Sequence, residues 1–331
     1  MERNRRVSFS RCGEPEEVLE VGESGVVAPQ AGDLMVRMLA SPINPADINF
    51  VQGVYGIKPV LPDSPAGLEG CGVVIESKAE GFESGDQVIM LRGVGAWSRF
   101  LTAPAGNFLK LNTTVDPIQA AMLKVNPLTA WRMLHGYVEL RPGDWIVQNA
   151  ANSGVGRCII QIARKMGVKT INFVRRPDAL RDELTALGAD LVVDENEEDV
   201  VKKTLAQLGK IRPVLASNAV GGDSALRLMD MLAPGASMVT FGAMSRKSIK
   251  VPNGFLIFKG IQLKGLWVTQ WLKTAPREEI EEAYALLSGW MAEGVLSQAV
   301  DSEYCIDQVC EAAAKARQEF RNGKIILKLG E

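Results

Sequence analysis

The sequence predicts an α/β protein in which a doubly wound parallel sheet is joined to a β-rich module. Three observations carry that expectation. Residues 1 to about 120 hold short apolar or alternating runs separated by Gly and Pro clusters at hairpin-like spacing. From Trp145 onward, strand-like runs alternate with amphipathic helical ones, which is the pattern of parallel βαβ units. The length, 331 residues, suits two domains at roughly 100–200 residues each.

The β-rich part is read from residues 33–40, 72–77, 87–91 and 100–103. Asp116-Pro117 then opens a helix, with Asp116 as N-cap and Pro117 at the first helical position. Another helix follows Pro127, and Arg141-Pro142-Gly143-Asp144 is a turn. Strands are expected at 145–149, 170–174, 191–193, 214–218 and 237–241. Helices are expected at 155–166, 178–187, 197–208 and 223–231, and a last strand at 262–268. Two charged amphipathic helices, 276–293 and 307–322, lead to an alternating strand at 324–329. This tail resumes the composition of the first module, so the expected domains are 1–124 with 270–331, and 125–269.

Composition narrows the function. Apolar residues are 47% and charged residues 23% of the chain, average for a soluble globular protein. Thirty-seven basic against 39 acidic side chains leave a net charge of −2, and no basic stripe is present, so neither nucleic acid nor an anionic membrane is an expected partner. Apolar stretches are interrupted well short of membrane-spanning length. The single histidine, His135, excludes multi-histidine metal sites and sits at a helix end, where histidine commonly bonds carbonyls. No Gly-x-Ser-x-Gly elbow accompanies it. Five scattered cysteines fit a reducing compartment rather than a disulfide framework. The cytosol is the expected location, with the mitochondrial matrix as the alternative for a mature chain.

The strongest local signal runs from Trp145 through Gln148-Asn149-Ala150-Ala151-Asn152-Ser153-Gly154-Val155-Gly156 into an apolar helix. A strand, a glycine turn and a helix start place backbone amides where a pyrophosphate binds. Ala151 and Ser153 replace the first two glycines of Gly-x-Gly-x-x-Gly, and only Gly156 matches. Alone, the turn reads equally well as tight strand–helix packing; the βαβ units downstream favour a dinucleotide. About 20 residues on, where an NAD enzyme places an acid for the ribose hydroxyl, the chain has Arg175-Arg176-Pro177-Asp178. Two guanidinium groups suit a 2′-phosphate, with charge-assisted bonds worth roughly 1.5–3 kcal/mol each. The plainer reading is a solvated pair, with Asp178 as a helix N-cap. NADPH is therefore expected over NADH.

Further segments carry a family resemblance. They are Ser41-Pro42-Ile43-Asn44-Pro45-Ala46-Asp47-Ile48-Asn49, Gln52-Gly53-Val54-Tyr55-Gly56, Val125-Asn126-Pro127-Leu128-Thr129-Ala130 and Leu263-Lys264-Gly265-Leu266-Trp267-Val268-Thr269-Gln270-Trp271, together with the glycine turn. On these residues the chain resembles the medium-chain dehydrogenase/reductase superfamily along nearly its whole length, and within it the zinc-free 2-enoyl thioester reductases. The resemblance implies a Rossmann domain at 125–269 and a GroES-like catalytic domain built from the two flanking segments, with the active cleft between them. It also accounts for the missing metal. Zinc-dependent members carry Gly-His-Glu where this chain has Gly67-Leu68-Glu69, and no cluster of four cysteines could hold a structural zinc.

The chemistry implied is hydride addition to the β-carbon of an enoyl thioester, with a donor preorganised where negative charge develops and a proton delivered to the α-carbon. The resemblance makes Tyr55 the proton donor; without it, Tyr55 is a packing tyrosine. It also assigns Ser153, Gly154, Val155, Gly156, Arg175 and Arg176 to the cofactor. Asn126, Phe241, Gly242, Ala243, Met244, Leu266, Trp267 and Val268 fall at the nicotinamide and acyl end, and Lys324 reaches the cofactor from the tail. Plainer readings make Trp267 and Met244 core, Asn126 a helix cap and Lys324 a solvated strand charge. The implied partners are an acyl thioester on coenzyme A or an acyl carrier protein, and a second copy of the chain paired through residues 262–268. The rivals are an NADPH:quinone or small-enone oxidoreductase and a non-catalytic NADPH-binding protein.

Overall fold

A computed structural model describes residues 3–330. The chain divides into two units, Met1–Val125 with Thr269–Glu331, and Asn126–Val268. The first contains β1 (Arg3–Phe9), β2 (Glu20–Gly25), β3 (Asp33–Ile43), β4 (Ser64–Pro65), β5 (Cys71–Ser77), β6 (Gln87–Met90), β7 (Phe100–Pro104) and β8 (Phe108–Lys110). The second contains β9 (Trp145–Gln148), β10 (Lys169–Val174), β11 (Leu191–Asp194), β12 (Leu215–Asn218), β13 (Ser237–Thr240) and β14 (Gln262–Gly265). The tail returns β15 (Val300–Cys305) and β16 (Lys324–Lys328) to the first unit.

In the first unit β15, β16, β3, β5, β6 and β8 lie side by side, with β7 also on β3, while β2, β1 and β4 form a smaller sheet. β3 anchors the larger sheet because Leu34, Val36, Met38 and Ala40, two residues apart, are each no more than 1% exposed and share one face. The tail strand, expected to alternate, instead buries four of its five residues. It lies between β15 and β3, and because successive side chains point to opposite faces, this unbroken run shows that both faces are covered. β2 and β15 contain no buried residue and present no apolar pattern to read. Their ladders with β1 and β16 make them strands.

In the second unit the strand order is β11-β10-β9-β12-β13-β14, every pair parallel. The order reverses beside β9, and in such sheets ligands bind outside the carboxyl ends of the strands at that point. Helices Gly154–Met166, Pro177–Leu187, Val200–Leu208 and Gly222–Met231 make the crossovers. The strand expected at 262–268 stops at Gly265, because its partner β13 ends opposite it at Thr240. Val268 already begins the helix Val268–Thr274. Asp178 is not an N-cap: Arg176 takes that position, Pro177 is the first helical residue and Asp178 stands in the first turn. The helix expected from Glu197 starts only at Val200, after Asp199 in a left-handed conformation (φ 57°).

Candidate active site

At the end of β9 the chain turns sharply. Ala150 takes φ 47°, and Ser153 caps the next helix, its hydroxyl accepting the Gly156 N–H at 3.1 Å. Only glycine fits at 156, since a Cβ there would lie 2.5 Å from the Ala151 carbonyl oxygen. The helix is held down by Val155, Cys158, Ile159, Ile160 and Ile162, all buried. Helix geometry leaves the first amides without intrahelical acceptors. The N–H groups of Gly154 and Val155, at the positive end of the dipole, therefore make a cradle for an anion.

Arg175 and Arg176 follow β10 and are both exposed; no acid intervenes between the strand and the helix that Arg176 caps. Phe241, Gly242, Ala243 and Met244 follow β13. Phe241 donates its N–H to the Asn218 carbonyl and Met244 to that of Ala219, both at 3.0 Å. Ala243 and Met244 are exposed. Leu266, Trp267 and Val268 follow β14: Leu266 is half-buried, Trp267 is 38% exposed and Val268 is buried. The carboxyl ends of one sheet thus bring together the expected cofactor residues from Ser153 to Val268. Asn126 is the buried first residue of the helix Asn126–His135. At the other end of that helix the His135 ring lies 2.9 Å from the Trp131 carbonyl and stacks on the Trp131 ring.

A polar clamp beneath these loops escaped the sequence reading. The Asn149 amide donates to Asn218 Oδ1 (2.9 Å) and the Ser224 hydroxyl (2.8 Å) and accepts the Ala219 N–H (2.8 Å). Asn218 Oδ1 also accepts from Val220 and Gly221, and its amide donates to the Thr240 hydroxyl. Both asparagines are buried, and together they fix the loops that follow β9, β12 and β13.

The first unit carries Tyr55 and Lys324. Tyr55 follows the short helix Pro45–Val51. Its N–H and that of Val54 both donate to the Asn49 carbonyl, at 3.0 and 2.9 Å. Gly53 turns at φ 73°, where an added Cβ would lie 2.7 Å from Cys12 Sγ, and the Lys58 ammonium donates to the Gly53 carbonyl. The Tyr55 ring is half-buried against the core of this unit.

Lys324 is not a solvated strand charge. It is 7% exposed and joins a buried cluster of Asn44, Asp47, Glu69 and Lys124, donating to Asn44 Oδ1. The Asn44 amide donates to Glu69 Oε1 at 2.5 Å, and Glu69 Oε2 accepts the Val125 N–H at 2.9 Å. Asp47 accepts the N–H groups of Asn44 and Leu68, each at 2.8 Å. Lys124 donates to the Leu68 carbonyl, and its own carbonyl accepts the Tyr284 hydroxyl at 3.1 Å. Burial pushes the Glu69 carboxyl up to about 7 and that of Asp47 to about 6, against the pull of Lys324, Lys124 and the local hydrogen bonds. The same burial lowers Lys124 to about 8. Of this cluster, sequence reasoning singled out only Lys324; Asn44-Pro45-Ala46-Asp47, with an acid three residues after a capping asparagine, was a legible helix start.

These donors do not fit zinc. Leu68 is a buried apolar side chain, both oxygens of Glu69 are engaged by nitrogen donors, and among the described residues no three His, Cys, Asp or Glu side chains converge on a metal position.

Comparison with known proteins gives this geometry a lineage. Residues 30–113 match the alcohol dehydrogenase GroES-like domain, and residues 154–289 match the zinc-binding dehydrogenase model. A GroES-like unit with an inserted doubly wound sheet defines the medium-chain dehydrogenases/reductases. The mitochondrial enoyl-[acyl-carrier-protein] reductase of Rattus norvegicus is 38% identical over 331 residues, covering 98% of this chain and 88% of the relative. The solved complex of Etr1p with NADP and crotonyl-CoA superposes with a TM-score of 0.90 at 30% identity, covering 99% of this chain and all of that one. The Etr1p/Etr2p heterodimer from Candida tropicalis gives 0.88, also at 30% identity, with coverage of 99% and 100%. The chain belongs to the family of mitochondrial-type enoyl thioester reductases.

Proposed function

We propose that this protein reduces the carbon–carbon double bond of trans-2-enoyl thioesters with NADPH. One observation of the geometry carries the cofactor half: two exposed arginines close β10 where no acid is present, beside the Ser153-capped cradle. The substrate half is supported by the family. Bound NADPH supplies a hydride to the β-carbon. The amides of Gly154 and Val155 and the Ser153–Gly156 turn hold its pyrophosphate, and Arg175 and Arg176 hold its 2′-phosphate. Asn126, Phe241, Gly242, Ala243, Met244, Leu266, Trp267 and Val268 shape the nicotinamide and acyl end. The Tyr55 phenol gives its proton to the α-carbon, and its O–H stabilises the charge that develops on the thioester.

The test is the loss of NADPH absorbance with crotonyl-CoA, a hexenoyl-CoA, the same acyl groups on a carrier protein, and a benzoquinone, each repeated with NADH. Enoyl thioesters with NADPH are expected to turn over fastest. Faster turnover of the quinone, or tight NADPH binding with no alkene consumed, would reject this substrate.

The protein partner we assign is a second copy of the chain along β14. Among the described residues this strand pairs only with β13, it exposes Leu263, and an uncovered apolar edge recruits another strand. The segment just before it leaves Ile257 and Phe258 70% and 84% exposed. Light scattering on the purified protein should give twice the chain mass. No described helix is long and apolar enough to cross a membrane. The mitochondrial relatives favour the matrix over the cytosol.

A further inference from the structure

We propose that Glu69 is a positioning residue for Tyr55, acting through Asn44 and the helix that Asn44 begins. The proposal rests on the reading of Tyr55 as proton donor.

Glu69 is fully buried and joins two segments distant in sequence: Oε1 takes the Asn44 amide and Oε2 the Val125 N–H. Two donors converge on one side chain, so that side chain must offer two acceptor oxygens, as a carboxyl group does and an amide does not. The orientation of Asn44 is fixed in turn, because its Oδ1 receives Lys324 and leaves only Nδ2 to face Glu69. The charged groups around Glu69 are Asp47, Lys124 and Lys324, with the Tyr284 phenol beyond Lys124. Two carboxyls against two ammoniums leave a fully ionised cluster without net charge.

Asn44 precedes the first turn of Pro45–Val51, a helix of seven residues, about 10 Å long at roughly 1.5 Å per residue. At its far end the Asn49 carbonyl holds the N–H groups of both Val54 and Tyr55. Phe50 packs edge-on against Phe9, ring centroids 5.6 Å apart. The helix is too short to bend between its ends, so a displacement of Asn44 is transmitted to the Tyr55 turn. Reacting groups misplaced by about 1 Å lose on the order of 100-fold in rate, so even a partial loosening is measurable.

Glu69→Gln tests the proposal. Its amide must present a donor either to Asn44 Nδ2 or to the Val125 N–H, and the link breaks while volume is kept. The variant, Tyr55→Phe and the double variant are compared by kcat with saturating crotonyl-CoA and NADPH, and by NADPH affinity from fluorescence in the absence of substrate. The expected result is a kcat lower by on the order of 10-fold in Glu69→Gln, with unchanged NADPH affinity and no added loss in the Tyr55→Phe background. An unchanged kcat, or the same fold-loss in both backgrounds, would overturn the inference while leaving Tyr55 in place. Unimpaired turnover by Tyr55→Phe alone would overturn both. Asn44→Ser, which removes the amide from both Glu69 and Lys324, provides a second cycle if Glu69→Gln does not fold.

Discussion

The two units build their functional groups by opposite means. In Asn126–Val268 the candidate ligand groups are amides at a helix start, two exposed guanidinium groups and loops that leave parallel strands. Each comes from a contiguous segment, and the sheet places the segments side by side. In the first unit the distinctive groups are side chains from residues 44, 47, 69, 124 and 324, which come from four separate segments, only Asn44 and Asp47 sharing one. A backbone site tolerates side-chain variation wherever the turn survives. A buried side-chain cluster does not, because each group satisfies another that would be costly to leave unpaired. On this division the proposed function gives cofactor affinity to the second unit and the rate of the proton step to the first.

The largest effect that could break this division is in the first unit. Tyr55→Phe removes the proposed proton donor and should lower kcat by roughly 10²–10⁴-fold, with NADPH affinity unchanged. A variant that loses NADPH affinity instead would place Tyr55 on the binding side.

The next effect belongs to the second unit. Removing both guanidinium groups in Arg175→Ala/Arg176→Ala should weaken NADPH binding by about 10- to 100-fold for each arginine that bonds the phosphate and leave NADH binding as it was. Titration of both cofactors against the variant checks this. An equal loss for NADH would mean that the pair shapes the turn rather than reading the phosphate.

Gly156→Ala should have a smaller and broader effect. Its Cβ, 2.5 Å from the Ala151 carbonyl, forces the turn open, at a cost of about 1–3 kcal/mol in stability. Melting temperature and NADPH affinity should fall together. A variant that melts lower but binds as tightly would show that the cradle does not depend on this close approach.

The same contrast governs what could be read from the sequence. Short apolar runs alternating with helical patterns located β9 to β13 within a residue or so, because each strand wholly or partly buries a run of its own residues and carries its own signal. Gly156 and the arginines after β10 were legible for the same reason, being local to one strand–turn–helix segment. β2 and β15 were not, since they bury nothing and exist only through a partner's hydrogen bonds. The Glu69 cluster was equally hidden. An isolated glutamate after Leu68 and a lysine 255 positions later give no sign that they share a buried cluster until β16 is inserted beside β3. Lys324 therefore reads from sequence as a surface charge or a cofactor ligand, and the structure gives its amino group to Asn44.

The smallest effect is a pH slope that only the first unit should produce. Burial raises the Glu69 carboxyl from 4.5 to about 7, so the folded chain holds this proton more tightly than the unfolded chain does. The stability it contributes is complete below about pH 4.5 and is lost as pH rises through about 7. Asp47, raised to about 6 by the same cause, slopes in the same direction. Lys124, lowered to about 8 from 10.5, acts oppositely and at higher pH: the unfolded chain keeps that proton longer, so stability recovers between those values. In Glu69→Gln the first contribution disappears, while that of Asp47, which comes from its own burial, remains. Melting curves between about pH 4.5 and 7 should therefore fall more steeply for the wild type than for the variant, by a few degrees across the range. Gly156→Ala, which touches no titrating group, should fall in parallel with the wild type. Parallel slopes for Glu69→Gln would mean that the carboxyl is ionised throughout, with Lys324 and Asn44 outweighing its burial.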